Sequence, residues 1–236
     1  MIIFNSSLGS ASANTINWST WDETEQDYSN AFIIDGKDAN NANAVGLGGG
    51  LALADRTWTQ NGTIDGNGTY RTLDGATEWF SVTTTFMNFL TGYSSWGIVF
   101  KLENWTQVTA YESIIRWAND KLIIRTNDAT KKLEVAANGT VLASTVSTMA
   151  VNTVLYIYFG CNGSDTRCGF VSTRPTKWSD FAVGSRVSHG SAITIVNHTE
   201  LAPEVFRDSV GNNRYATTRF HYAVAAYDTA LIDFNS

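Results

Sequence analysis

Proline is nearly absent from this 236-residue chain, which holds two, and cysteine is as scarce, also two. Charge is thin as well: charged residues make up 16% of the sequence, with 16 Lys and Arg against 22 Asp and Glu for a net charge of −6. Basic residues never cluster beyond the Lys131-Lys132 pair. A protein that tracks phosphates needs a basic stripe, so no nucleic-acid partner is expected. No apolar run reaches the length that spans a bilayer, which removes membrane insertion from the expectations. No Lys or Arg precedes Lys37, and Met1-Ile2-Ile3-Phe4-Asn5 lacks the basic start and apolar stretch of a secretory signal. If this start is native, the chain is made in a cytoplasm and leaves, if at all, by another route. Long periodic runs of Leu, Ala, Glu and Lys are missing too, which argues against a helical protein.

The two cysteines, Cys161 and Cys168, flank Asn162-Gly163-Ser164-Asp165-Thr166-Arg167. That spacing suits facing positions near the mouth of a hairpin, where a cross-strand bridge is geometrically feasible. Two buried thiols near a turn are the other reading. A zinc site is not, because no second Cys or His pair completes a tetrahedral set.

What the chain does have is aromatic residues, at 12%, set among Thr, Ser, Asn and Gly. Aromatic and β-branched side chains suit a pleated, half-buried surface, and the composition is far from a disordered one. The first 55 residues read as an irregular N-terminal arm or docking segment, or as an edge strand plus a loop added to the main domain. They include a strand candidate at Ala31 to Ile34 and a glycine break at Gly46-Leu47-Gly48-Gly49-Gly50.

From about Thr57 the rhythm changes to short strands with regular turn signals, so residues 56–236 read as one sandwich. Trp79 to Phe86 is the first strand expected there. Ser94 to Glu103 comes next, with Trp96, Ile98 and Phe100 sharing a face. Tyr111 to Trp117 turns at Asn119-Asp120 into Leu122 to Thr126. Leu133 to Ala137 turns at Asn138-Gly139 into Thr140 to Ala143, where both central residues of a type I′ turn need positive φ. Val154 to Cys161 and Cys168 to Thr173 form a further hairpin, and Ala192 to Asn197 precedes the closing strand. That last strand, Arg219 to Tyr227, alternates so as to put Phe220, Tyr222 and Val224 on one face and His221 on the other. Tyr227-Asp228-Thr229-Ala230-Leu231 then turns Leu231 back inward.

This ending resembles the closing strand and corner of laminin-G-like, concanavalin A-type lectin domains. Leu73-Asp74-Gly75-Ala76-Thr77-Glu78-Trp79-Phe80 is similar to their opening segment, and Asn152-Thr153-Val154-Leu155-Tyr156-Ile157 to their central strand, with Val154 where Trp is usual. Phe181-Ala182-Val183-Gly184-Ser185 resembles another of their strand ends. The matches occur in the family's order. The resemblance implies an all-β, antiparallel two-sheet jelly-roll sandwich of the concanavalin A-like kind. That fold hosts lectins, glycosidases, adhesion domains and virion proteins alike, so it names no activity.

Retaining glycosidases of this fold carry two carboxylates on one sheet face in a Glu-x-Asp-x-x-Glu run, and the chain has none. Its nearest approach, Glu23-Thr24-Glu25-Gln26-Asp27, lies ahead of the sandwich and reads as a solvated acidic patch. No Ser-His-Asp or Cys-His nucleophile arrangement stands out, and no catalytic residue is nominated. Asp35-Gly36-Lys37-Asp38 and Asp65-Gly66-Asn67 supply oxygens but match no ordered calcium loop, so no cofactor is expected, a loop Ca²⁺ being the one metal reading left open.

Sugar binding without catalysis would use aromatic plates beside amides and carboxylates. Trp105, Tyr111 and Trp178, with Asn104 and Asp180 beside them, are the ligand-contact candidates, while Trp79, Trp96 and Trp117 fall in strand patterns and belong to a core. Protein interfaces use the same aromatic chemistry. The leading expectation is a non-enzymatic structural or attachment protein of a virus particle, by analogy a bacteriophage capsid decoration, head-fibre or tail-associated component at the virion surface. Its partners would be other virion proteins, copies of itself, or a cell-surface glycan. The alternative is a secreted carbohydrate-binding or adhesion module, and a divergent glycoside hydrolase comes last.

Overall fold

The computed structural model describes residues 30–36, 43–103, 111–117, 122–127, 129–137, 140–199, 203–208, 214–215, 217–228, 231–232 and 234. Strands β1 (Ala31–Asp35), β2 (Ala44–Gly48) and β3 (Thr57–Asn61) come first, then β4 (Asp65–Gly66), β5 (Arg71–Asp74) and β6 (Trp79–Ser81). After a short helix α1 (Thr84–Met87) come β7 (Ser95–Glu103), β8 (Tyr111–Trp117), β9 (Leu122–Asn127), β10 (Lys132–Ala137) and β11 (Thr140–Ser144). The chain continues through β12 (Leu155–Asn162), β13 (Thr166–Val171) and β14 (Arg186–Ser188). Four elements complete it: β15 (Glu204–Val205), β16 (Arg207–Asp208), β17 (Arg214–Tyr215) and the long closing strand β18 (Thr217–Tyr227).

Sixteen strands form one continuous antiparallel sheet, and β16 with β17 make a separate two-stranded ladder. The large sheet folds into two layers. The first runs β1-β18-β7-β12-β13-β14, with β5 and then β4 beside the start of β18. The second runs β11-β10-β9-β8-β15-β6-β3, and β2 joins the layers by pairing with both β1 and β3. This is the antiparallel jelly-roll-type sandwich that the strand rhythm anticipates.

Alternation fills the space between the layers. Trp96, Ile98, Phe100 and Leu102 of β7 face inward together, opposite Trp117, Leu122, Ile124 and Leu133 of the second layer. An aromatic cluster anchors one end. Trp58 stacks on Phe220 at 5.6 Å, and Phe206 tilts against Phe220 at 5.2 Å. Strand β1, inside the stretch expected as an arm or edge strand, pairs on both sides and buries Ala31, Phe32 and Ile34.

Four local expectations are corrected. The strand read over Trp79 to Phe86 stops at Ser81. Thr83 then accepts a bond from the Phe86 amide at 3.1 Å and starts α1, which sends Phe86 and Met87 into the core. Residues 192–197 form no strand, although Ile195 is buried. The hairpin register sets Cys161 opposite Thr166 and Cys168 opposite Phe159. The two cysteines are therefore diagonal rather than facing, and both are free, buried thiols. Finally, Phe220 and Tyr222 do not share a face. A bulge in β18 between Phe220 and Tyr222 shifts its register on β7, and one inserted residue reverses the side of every side chain beyond it. Phe220, Ala223 and Ala225 face the inter-layer core, whereas Tyr222, Val224 and Ala226 face outward.

Candidate binding surface

The outward face of the first layer has two halves. Around its middle, Val99, Tyr158, Val224 and Ala226 are covered, because the corner after β18 brings Leu231, Ile232 and Phe234 back over them. The turn passes through Asp228, whose φ of 56 is left-handed. Leu231 is thus turned inward onto the outer side of this layer, not into the space between layers. A 3-10 turn at Trp178–Asp180 closes the edge of the cover. There Trp178 stacks on Phe234 at 6.2 Å, the Arg167 guanidinium lies 4.7 Å over Phe234, and Arg167 Nη1 donates to the Phe234 carbonyl at 2.9 Å.

Further along the same strands the described residues leave the face half-exposed. Lys101 points outward between two tyrosine rings, its Nζ 5.8 Å from the centre of Tyr156 and 5.6 Å from that of Tyr222. The rings meet edge to face at 6.4 Å, and all three residues are half-buried. Arg174 joins them. Burial lowers its pKa, and the neighbouring phenols of Tyr222 and Tyr156 act against that shift.

The next row holds Glu103, His221, Arg219 and Tyr70. Glu103 Oε2 lies 3.0 Å from His221 Nε2, and Glu103 Oε1 lies 3.6 Å from Arg219. The Arg219 guanidinium sits 4.7 Å over the Tyr70 ring, and Tyr70 tilts against His221 at 5.3 Å. His221 points away from Phe220 as expected, but it shares the outer face with Tyr222, which unbroken alternation puts opposite it.

The β18 bulge builds this strip. It turns Tyr222 out beside Lys101 while leaving Phe220 in the core. Gly36 holds the bulge from the side. Its amide donates to the His221 carbonyl at 2.7 Å, and a Cβ at Gly36 would run into the carbonyl oxygen of Phe220. Chemically, the strip offers aromatic faces for the C–H side of a sugar ring, cationic donors for oxygens, and one carboxylate acceptor.

The residues nominated from sequence fall elsewhere. Asn104 and Trp105 lie outside the described residues, though they follow Glu103 directly in the chain. Tyr111 begins β8, its side chain outside the described set. Trp178 and Asp180 share the covering turn. Arg167 and Arg186 lie 5.1 and 5.4 Å from the Trp178 ring, and Asp180 accepts from the Thr176 and Lys177 amides at 2.8 and 3.0 Å. Trp96 and Trp117 are core residues, while Trp79 is half-buried with Arg207 4.0 Å over it. The acidic patch Glu23 to Asp27 lies outside the described residues.

One of the strip's tyrosines, Tyr156, could have been found from the strand pattern. In β12 Leu155, Ile157 and Phe159 take one face, so Tyr156 and Tyr158 must take the other. Tyr222 could not, because the bulge is invisible to alternation.

The second layer also carries carboxylates on its outer face. Glu134 pairs with Arg125 at 3.1 Å, and Glu204 with Arg207 at 2.9 Å. Strands β10 and β15 are three spacings apart, about 14 Å between backbones, and each carboxylate is held by its own arginine. Among the described residues no group of three or more His, Cys, Asp or Glu is placed to hold a metal. Asn67 of the Asp65-Gly66-Asn67 stretch instead accepts from the Thr69 and Tyr70 amides at 3.0 and 3.1 Å, as a turn former.

No protein-family model matches this sequence, and no curated protein does. Solved structures do resemble it in fold. A Trypanosoma rangeli sialidase in complex with sialic acid superposes with a TM-score of 0.55 at 8% identity, over 85% of this chain and 31% of the sialidase. Domain 4 of a GH43 extracellular arabinanase from Geobacillus stearothermophilus, in complex with arabinotriose, gives 0.49 at 11% identity, over 72% of this chain and 78% of that domain. A botulinum neurotoxin type C structure gives 0.49 at 10% identity, over 86% of this chain and 48% of the toxin chain. The chain spans about a third of the sialidase it matches. At these identities the likeness is one of all-β antiparallel architecture.

Proposed function

We propose that the chain is a carbohydrate-binding or adhesion module of the laminin-G-like, concanavalin A type, holding a saccharide on the open half of its first layer without cleaving it. One observation carries this reading: a face sealed along its middle by its own C-terminal segment is left half-exposed by the described residues where Lys101 lies over two tyrosine rings, with Arg174 near both phenols. Sugar rings pack their apolar C–H faces on aromatic side chains and their hydroxyls on charged donors and acceptors, and this strip supplies both.

The fold likeness to a sialidase solved with sialic acid is consistent with such a role, though it argues for architecture alone. The virus-particle role expected from the sequence draws no support from the structural neighbours, so the secreted or adhesive module comes first. A particle-borne attachment domain would use the same strip.

The test is a glycan-array screen and then titration calorimetry on the hits, with Tyr156→Ala and Tyr222→Ala compared with the parent. Stacking on two rings predicts at least about a tenfold loss of affinity for each variant with folding intact. A screen without hits, or hits whose affinity ignores both substitutions, would refute the reading.

A further inference from the structure

We propose that the saccharide held on this strip is acidic, carrying a carboxylate or a sulfate. The inference rests on the carbohydrate-binding reading above and names the chemistry of its ligand. The chain as a whole is acidic, with 22 Asp and Glu against 16 Lys and Arg. The strip reverses that balance. Lys101, Arg174 and Arg219 gather around three tyrosines within one end of one face. Glu103 is already engaged by Arg219 and His221. Asp35 is paired with Tyr222 in the β1 register, its side chain outside the described set. Among the described side chains of the strip, three permanent cations face the one carboxylate of Glu103.

Lys101 is the centre of the argument. Its ammonium lies over both tyrosine faces and makes no hydrogen bond or ion pair among the described residues. Ring faces hold a cation through their quadrupole while leaving its N–H donors unspent, so an anion can be taken without breaking an internal pair. Arg174 adds a planar guanidinium of the kind that matches carboxylate and sulfate oxygens in pairs. A neutral sugar brings no counter-charge to these partly desolvated cations, and that difference discriminates against it.

The experiment titrates the whole chain with a galacturonate trimer, a sulfated galactose trimer and the uncharged galactose trimer. Lys101→Met and Arg174→Gln, both half-buried positions, are the variants, with a thermal melt as the folding control. The expected result is that at least one acidic trimer binds at least about tenfold tighter than the neutral one and weakens as salt rises from about 0.05 to 0.5 M. Each variant then loses about tenfold for that trimer and little for the neutral one. Whichever acidic series binds identifies the group. Equal affinity for neutral and acidic trimers, or an acidic affinity indifferent to both variants, overturns the inference and leaves the carbohydrate-binding reading standing. Binding of none of the three, together with an empty glycan screen, removes both.

Discussion

Tyr156 and Tyr158 sit two residues apart on one strand and on the same face of it, yet they have opposite surroundings. Tyr158 is sealed under Phe181 and Phe234, its ring centre 6.1 and 5.9 Å from theirs, and burial pushes its phenol pKa well above the ordinary value. Tyr156 is left half-open beside Lys101 and Tyr222. The difference comes from which part of the face the returning C-terminal segment reaches. A jelly-roll layer has two apolar faces to dispose of, and here one chain covers its outer face only in part. What the described residues leave half-exposed carries aromatic rings with a cation between them, a mixture found at contact surfaces more than in cores.

Substitutions can break or sharpen that contrast, and the largest effect should come from the strand behind both halves. Deleting residues 1–50 removes β1 and β2, and with them Phe32, Ile34 and the Gly36 clamp on the bulge. Loss of a cooperative thermal transition is expected. A truncated chain that melts like the parent would show that β1 is dispensable.

Next comes a paired comparison. Phe181→Ala in the covered half should cost about 3–5 kcal/mol, and Phe220→Ala between the layers as much. Tyr222→Ala in the open half should cost about 1 kcal/mol or less. Equal losses at Phe181 and Tyr222 in urea titrations would mean that both halves are core.

Smaller is Tyr158→Phe. The Tyr158 hydroxyl is buried with no hydrogen-bond partner among the described residues and packs against Gly160, so its removal should leave stability unchanged or raise it by about 1 kcal/mol. A clear loss would show that the hydroxyl has a partner.

The smallest effect separates stability from binding by pH. Glu78, in the turn between β5 and β6 and away from both halves, is pushed up from 4.5 to about 7 by burial first and by the nearby Asp74 charge second. Its folded pKa exceeds its unfolded one, so the folded state holds the proton more tightly. Its contribution to stability is therefore fullest below pH 4.5 and is lost as pH rises towards 7. Glu78→Gln should flatten this part of the stability profile without changing affinity at the strip. A profile unaltered by Glu78→Gln would exclude this group as its source.

Much of the architecture was legible in the chain. Trp96, Ile98 and Phe100 alternate without interruption, and β10 pairs with β11 as the hairpin read over Leu133 to Ala143, Asn138 and Gly139 themselves lying outside the described residues. Position-specific backbone chemistry was harder to read. Thr83 comes after Phe80 and Val82 in an apparently unbroken strand, and only its role as a helix cap ends that strand. The Cys161 and Cys168 spacing fits a bridge at one register and excludes it at the register adopted. For the candidate surface the bulge in β18 mattered most. A one-residue insertion carries no compositional mark, so Tyr222 read as the core partner of Phe220 when it is its opposite. Trp178 read as an exposed plate because its sequence neighbours are polar; the residues that cover it, Arg167, Arg186 and Phe234, are distant in sequence.

The central claim is that the open half of this face binds a saccharide through Tyr156 and Tyr222. It is tested most directly by titrating the Tyr156→Ala/Tyr222→Ala double variant with the tightest glycan found for the parent while recording its melting temperature. The account predicts that binding disappears and that melting shifts by only a few degrees. Retained binding in a folded double variant would contradict it.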